Sequence, residues 1–375
     1  MASPRRSWSL SLLPPEIIQE IFYKTPAEAL VRSKPTCKKL YTLITDETFI
    51  HKHFQRTQEH FLRASDTVQI MDPSTRKNSV LPVPNELLQH PFKIDTLVNT
   101  HMIHCDGFML VEYKMWKYRD DGSRDTNLAL WNPVLRNIRW IEPARSITSS
   151  DYHGIGYKDK ASDGYKILRF PSCPLEIERY EDEPEVEIYE CKTSSWRTLD
   201  IELDMDMHIM RNCVAVMGNM YWVAYTEDEE EFIRCFDFSD ETFTVICVCP
   251  SSYDNSHLAS FNGDSLSLLQ QDLVSRTIEV WVSSRLGDVD CFVSFSKYFS
   301  LSGPDIPALP FHDEAARPFY WVGVEGEDDK VCLPMCQIDD DGVRNYTVIE
   351  SDFSRASLCG YVYIPSMIPL PWVRD

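Results

Sequence analysis

The residues that could bind a metal ion are few and poorly spaced. His101, His104 and Cys105 could supply three ligands, but the sequence offers no convincing fourth ligand and no CxxC pair. We therefore interpret these histidines as ordinary core or surface residues rather than as metal ligands. Cys247 and Cys249 alternate along one predicted strand, so both thiols face the same side, which is typical of small buried residues. The sequence predicts no metal site and no cofactor.

The motifs of common catalytic mechanisms are also missing from the sequence. It contains no GxSxG nucleophile elbow and no Walker sequence, and Gly154-Ile-Gly156 lacks the third glycine of a dinucleotide-binding loop. Acidic pairs are plentiful, but an acidic chain brings carboxylates together by chance, and nothing selects one pair as acid and base. The sequence therefore predicts a protein that is not an enzyme.

Charge is distributed unevenly along a chain of ordinary globular composition. The chain has 375 residues, of which 43% are apolar and 25% charged, and no apolar run approaches the length of a membrane helix. Residues 1–60 hold nine Lys/Arg and six Asp/Glu, a net charge of +3, which leaves −24 for residues 61–375. We expect the larger part to repel nucleic acid and anionic membranes. Twelve scattered cysteines favour a reducing compartment, cytoplasmic or nuclear.

A helical region is predicted over residues 11–55, after a tail of residues 1–10. Pro14 and the proline after it suit a helix start, and the apolar side chains that follow recur on one helix face. Thr25-Pro-Ala-Glu28 has the form of a capping box, so a second helix is predicted to begin near Pro26. A third helical pattern follows Pro35 and continues to residue 54. Three such helices remove too little surface from water to be stable alone, and they need a partner.

The segment "LLPPEIIQEIFYKTPAEALVRSKPTCKKLYTLITDETFIHKHF" resembles an F-box, the motif by which substrate receptors join Skp-cullin-F-box ubiquitin ligases. The resemblance implies a Skp-type adaptor, and through it a cullin, as partners. The side chains predicted to bind the adaptor are Leu13, Pro14, Ile17, Ile18, Ile21, Leu30, Cys37 and Leu40. The segment departs from the family pattern at Ser33, Pro35, Thr36 and Leu40.

The larger part, residues 61–375, has the pattern of an all-β domain. A strand, a polar turn and a returning strand recur six times, with spacings of 45 to 60 residues. Because a hairpin alone cannot bury its faces, the copies must stack or close into a ring. We predict a β-propeller of about six blades, with a β-sandwich as the alternative. The strands that mark the copies contain Met71, Trp131, Tyr189, Phe236, Trp281 and Ile338.

The same stretches resemble the type 1 F-box-associated domain of plant F-box proteins. Among the matching motifs are "CDGFMLV" (105–111), "LWNPVLRNIRWIEP" (130–143), "EIYECKTSSWRTLD" (187–200) and "CFDFSDETF" (235–243). The resemblance covers nearly all of residues 93–370. The motif tryptophans are interpreted as scaffold that packs between sheets, and Asn132-Pro133 as a turn.

Together the two resemblances imply a non-catalytic substrate receptor. The helices would bind the adaptor, and the β domain would bind an unknown target protein for ubiquitination. Two alternatives remain open: a propeller scaffold that no longer joins a ligase, and a carbohydrate-binding propeller.

Overall fold

The protein consists of a short helical segment followed by a ring of antiparallel sheets. The computed structural model describes residues 13–64, 67–72, 78–82, 100–118, 124–142, 151–158, 164–171, 185–201, 203, 207–226, 230–251, 253, 255–287, 293–302, 320–322, 325–327, 330–339, 342–352 and 361–371.

The helical segment contains four α-helices rather than the three that the sequence predicts. They are α1 (Pro15–Tyr23), α2 (Ala27–Ser33), α3 (Lys38–Ile44) and α4 (Glu47–Arg56), with a 3-10 turn (Lys34–Thr36) before α3. Asp46 divides the predicted third helix in two, because its carboxylate accepts the amide of Phe49 at 2.8 Å and so caps a new helix.

Thr25 does not form the predicted capping box. Its hydroxyl donates to the carbonyl of Ile21 at 2.8 Å, at the end of α1. Pro26 is the N-cap of α2 and makes no side-chain hydrogen bond. The last carbonyls of a helix lack intrahelical partners, so a threonine just beyond α1 finds an acceptor behind it as readily as a donor ahead.

Within the described ranges the β region is built from six sheets of four strands, each strand antiparallel to its neighbours. From the innermost strand outwards, the first three sheets are β24 (Tyr361–Tyr363), β1 (His60–Ala64), β2 (Thr67–Met71) and β3 (Asn78–Pro82); β4 (Thr100–Cys105), β5 (Phe108–Tyr118), β6 (Arg124–Asn132) and β7 (Asn137–Ile141); and β8 (Asp151–Tyr157), β9 (Tyr165–Pro171), β10 (Val186–Glu190) and β11 (Ser195–Leu199).

The other three sheets follow the same antiparallel plan. They are β12 (Met207–Val216), β13 (Asn219–Thr226), β14 (Glu231–Asp237) and β15 (Thr242–Val248); β16 (Asn255–Phe261), β17 (Ser265–Asp272), β18 (Thr277–Ser283) and β19 (Phe295–Ser302); and β20 (Tyr320–Val322), β21 (Glu325–Glu327), β22 (Lys330–Asp339) and β23 (Gly342–Asp352). In the last sheet β20 and β21 both pair with one edge of β22, and β23 pairs with the other edge.

The two ends of the β region meet in the first sheet and close the ring. β24 pairs with β1, so that Val362 lies opposite Phe61. The innermost strands β24, β4, β8 and β12 adjoin one another around the centre. This is the architecture of a six-bladed β-propeller, which confirms the predicted fold and rejects the β-sandwich alternative.

The chain that follows β24 runs along the turns of the second blade. Asn132 is buried, and its amide donates to the carbonyls of Ser366 at 3.2 Å and Ile368 at 2.8 Å. Gly107 has a φ of 87°, and a Cβ at this position would lie only 1.9 Å from the Cβ of Ser366. Only glycine allows this close approach, so the turn and the C-terminal segment fit each other.

The repeating hairpin predicted from the sequence is the outer half of each blade. All six marker residues lie on the strand next to the outermost one, from Met71 on β2 to Ile338 on β22. In three blades the turn to the outermost strand ends on a residue with left-handed φ, namely Arg136, Ser194 or Glu241. Trp131 is fully buried, as expected of a scaffold tryptophan.

Candidate functional site

Helix α1 presents apolar side chains on two faces, and only one of these faces packs against the residues that the structure describes. Tyr23 is buried in the core. On the other face Ile17 and Ile21 lie one turn apart, with exposed fractions of 48% and 42%, and Leu13, which precedes the helix, is 39% exposed. Amphipathic helices normally expose polar residues on the face that points away from the core. The outer face of α1 is therefore an apolar row without a partner in the described part of the chain.

The other predicted site residues of α1 and α3 lie at or near the surface. Pro14 is the exposed N-cap of α1, and Ile18 is half-buried. Cys37 is exposed and caps α3, where its sulfur accepts the amide of Leu40 at 3.4 Å. The side chain of Leu40 is half-buried and packs against the core.

Leu30 is placed differently from the other predicted site residues. It is fully buried in the apolar core, on the same helix as buried Ala27. The seven other predicted side chains remain at least partly exposed, whereas Leu30 faces the interior of its own chain. A partner could reach it only if α2 moved away from the core.

Tyr41 is an exposed aromatic residue that the sequence-based selection missed. Its exposed fraction is 56%, and it lies next to Leu40 on α3. In "LYTLI" apolar residues stand at four of five positions, so the pattern does not distinguish the inner face of α3 from the outer one. Buried Ile44 identifies the inner face.

The packing of α1 on α4 sets the orientation of the apolar row. The rings of Tyr23 and Phe49 stack with centroids 5.0 Å apart, and the guanidinium of Arg56 lies 4.4 Å from the centroid of the Tyr23 ring. Arg56 also bonds both carboxylate oxygens of Glu20, at 3.0 and 3.1 Å. These contacts hold the inner face of α1 and leave its outer face free.

A buried histidine joins α4 to the turn between α1 and α2. Nε2 of His53 lies 2.8 Å from the carbonyl of Thr25, which can only accept, so this nitrogen carries the proton. Burial lowers the pKa of His53, an effect that the bond to Thr25 and the charge of Glu28 partly offset. The neutral ring acts as a structural link within the helical segment.

The helical segment is anchored on the propeller through a shared core. Buried residues of α2 and α4 belong to the same apolar cluster as those of the first four blades. The hydroxyl of Tyr363, at the end of β24, is buried near Glu28 of α2. Burial is the main reason that the pKa of Tyr363 is raised, and the negative charge of Glu28 raises it further. The propeller thus supplies the support that an isolated helical segment would lack.

The histidines considered for metal binding have other roles. Nε2 of His104 accepts the amides of Gly107 at 2.9 Å and Ile364 at 3.3 Å, which ties β4 to the C-terminal segment. Nδ1 of His101 lies 3.8 Å from the carboxylate of Glu112, and Nδ1 of His153 lies 2.8 Å from it. No group of His, Cys, Asp and Glu among the described residues has the geometry of a metal site.

The buried carboxylate of Glu112 stays ionised between two blades. Burial by itself raises the pKa of this group, but the charge and hydrogen bonds of His153 and His101 outweigh burial and hold the pKa well below its ordinary value. The thiols singled out in the sequence behave differently, since burial raises the pKa of Cys247 to about 12. The carboxylate and its histidines stabilise the packing of β5 against β8, and Cys247 is a protonated thiol at neutral pH.

Comparison with known protein families agrees with both parts of this architecture. The family described as the F-box domain matches residues 10–52, and the F-box associated beta propeller domain matches residues 58–370. The chain therefore belongs to the F-box proteins that carry an F-box associated β-propeller. This combination supports a role of the substrate-receptor type, and proteins of these families are typically adaptors rather than enzymes.

Several plant proteins are similar to the chain over almost its whole length. A protein of Arabidopsis thaliana named putative F-box only protein 15 is 43% identical, with 96% of this chain and 97% of that protein aligned. Another F-box protein of the same plant is 41% identical, over 96% of this chain and 98% of its own. A third, named F-box/WD-40 repeat-containing protein 1, is 33% identical over 97% and 90%.

Within the described ranges, no helix combines the length and the apolar composition that a membrane crossing requires.

Proposed function

We propose that this chain is the substrate-recognition subunit of a Skp-cullin-F-box ubiquitin ligase. The helical segment binds the Skp-type adaptor, and through it the cullin, while the propeller binds a target protein. The observation that carries the proposal is the apolar row formed by exposed Ile17 and Ile21 on α1 and exposed Leu13 just before the helix. These large aliphatic side chains are held in solvent by a helix whose other face is firmly packed.

Several apolar anchors must act together for such a surface to bind. Burying one large aliphatic side chain contributes about 1.5–3 kcal/mol, and less when it is already half-buried. Association costs about 4–15 kcal/mol in lost translational and rotational freedom. Half-buried Ile18 on α1 and exposed Tyr41 on α3 are further apolar side chains of the helical segment that can add to the row.

The receptor contributes no reacting group in this mechanism. It holds the target near a ubiquitin-loaded enzyme carried by the same assembly, so that attack by a target lysine becomes nearly intramolecular. The shared apolar core and the buried site of Tyr363 near Glu28 support this role, because they attach the helical segment to the propeller.

Co-purification with the adaptor tests the proposal. The full chain and a Skp-type adaptor are co-expressed, and the adaptor recovered with the tagged chain is measured. Ile17→Asp together with Ile21→Asp places two charges in the row, and we expect the adaptor to be lost. Val274→Asp is the matched control, because Val274 has an exposed fraction of 92% on a propeller turn and should leave recovery unchanged.

Adaptor recovery that survives the double substitution would contradict the proposed interface. A wild-type chain that brings down no adaptor at micromolar concentration would favour the free scaffold alternative instead.

A further inference from the structure

We propose that the outer edge of β15, in the fourth blade, is a docking site for an extended, basic segment of a partner protein. β15 is the outermost strand of its sheet and pairs with β14 on one side only. An outermost strand presents unpaired amides and carbonyls to solvent, and an incoming strand can satisfy them by extending the sheet.

β15 differs from the other outermost strands in its side chains. β7, β11, β19 and β23 each contain a basic residue, and β3 ends in a proline, two features that discourage edge-to-edge pairing. β15 reads Thr-Phe-Thr-Val-Ile-Cys-Val and contains neither. Among the six outermost strands in the described part of the chain, it is the one most suited to accept another strand.

Two exposed valines give this edge an apolar face. Val245 lies opposite Arg234 and Val248 opposite Phe232, and these two partners alternate along β14 and so share one face of the sheet. A bulge at Ile246 lets both valines follow their partners to that face. Val245 and Val248 have exposed fractions of 54% and 56%.

Negative charge at both ends of β15 specifies the occupant. Exposed Asp240 lies in the turn just before the strand. At the other end the amide of Cys249 donates to the carbonyl of Glu231 at 2.8 Å, which places exposed Glu230 beside the end of the strand. The basic groups near β15 do not offset these carboxylates: Lys166 and Arg197 are paired with Glu241, and Arg234, which stacks on Phe243, is buried. A segment with alternating apolar residues and Lys or Arg at both ends complements this edge in shape and charge.

The partner is a ubiquitination target only if the proposed function holds, and the edge itself is defined without that function. Its test uses the full-length chain and a fluorescein-labelled peptide, Lys-Lys-Val-Thr-Val-Thr-Val-Lys-Lys, followed by fluorescence anisotropy. Two further peptides serve as controls: one with Glu in place of every Lys, and one with Pro in place of the central Val. The Pro peptide keeps the charge but cannot form a regular strand.

We expect the basic peptide to bind the wild-type chain and both control peptides to bind about tenfold more weakly or worse. Val245→Lys together with Val248→Lys should weaken binding of the basic peptide by about tenfold or more, since apolar contact is lost and like charges are added. Val274→Lys adds the same kind of charge at an exposed valine of the neighbouring blade, and should bind like wild type. Both valines of β15 are more than half exposed, so thermal unfolding of the variant should match wild type.

Four results would overturn the proposal: no binding of the basic peptide, equal binding of the Pro peptide, equal loss in the Val274→Lys control, or unchanged binding by the β15 variant. A wild-type dimer that the β15 substitutions dissolve would also overturn it, because the occupant would then be a second copy of the chain. Adaptor recovery is measured on the same variants and should not change. A chain that binds the peptide as expected but recovers no adaptor would defeat the proposed function and leave the docking edge in place.

Discussion

The helical segment and the propeller treat large aliphatic side chains in opposite ways. In the propeller, isoleucines such as Ile155, Ile167 and Ile188 are fully buried between blades. In the helical segment, Ile17 and Ile21 stand almost half exposed on one face of α1. A closed ring supplies a neighbour on both sides of every sheet, whereas a four-helix segment that packs on one side of the ring has an outer face left over.

An isoleucine-to-alanine substitution in each region should give the largest difference in the free energy of unfolding. Ile167→Ala removes a fully buried side chain from β9 and should lower the free energy of unfolding by about 2–5 kcal/mol. Ile17→Ala should lower it by about 0.5 kcal/mol or less, because solvent already covers much of the side chain.

Urea denaturation of both variants measures the difference in the free energy of unfolding. Adaptor recovery should fall more in Ile17→Ala than in Ile167→Ala. Equal destabilisation by the two substitutions would mean that the outer face of α1 is packed after all.

Acidic pH should lower the free energy of unfolding of the propeller through the buried histidine His257. His257 on β16 is fully buried, and burial lowers its pKa to about 4. Above pH 6.5 the ring is neutral in the folded and unfolded chains. As the pH falls below 6.5 the unfolded chain binds a proton that the folded chain resists, and by pH 5 this costs about 2 kcal/mol of stability.

The free energy of unfolding at pH 7 and pH 5 tests this expectation. His257→Gln should reduce the loss between the two values, while His51→Gln, on the partly exposed surface of α4, serves as the control. An unchanged pH dependence in the His257 variant would contradict it.

The smallest effect is expected at the ion pair between α1 and α4. The side chains of Glu20 and Arg56 are each about half exposed, so water and salt screen their attraction. Glu20→Gln should therefore cost about 0.5 kcal/mol or less in unfolding experiments at physiological salt. A loss well above about 0.5 kcal/mol in Glu20→Gln, and absent from the control Glu16→Gln, would contradict this expectation.

The propeller could be predicted from the sequence because every blade must meet the same packing requirement. Each blade needs one strand with a large residue between two sheets, and Trp131 and Phe236 fill that position in their blades at regular spacing. In three blades the turn after that strand ends on a residue with left-handed φ. A pattern that every blade must satisfy independently can be recognised even when individual copies are weak.

The errors in the helical segment arise where two local solutions compete. Thr25 could bond forwards to α2 or backwards to α1, and only the packed structure shows that it bonds backwards. Leu30 and Tyr41 occupy apolar patterns of the same kind, yet one is buried and the other exposed. The difference in burial between Leu30 and Tyr41 depends on where the propeller lies relative to α2 and α3. Helical periodicity does not predict that position.

Closure of the ring by β24 has a consequence for how the protein is made. β24, the strand that completes the first blade, is synthesised after the described strands of the five other blades, so the inner edge of β1 stays unpaired until they have been made. Translation that stops anywhere before β24 therefore leaves the first blade incomplete, however many later blades have been made. The helices, by contrast, are made before every blade, so their outer face is exposed while the whole propeller is still being synthesised.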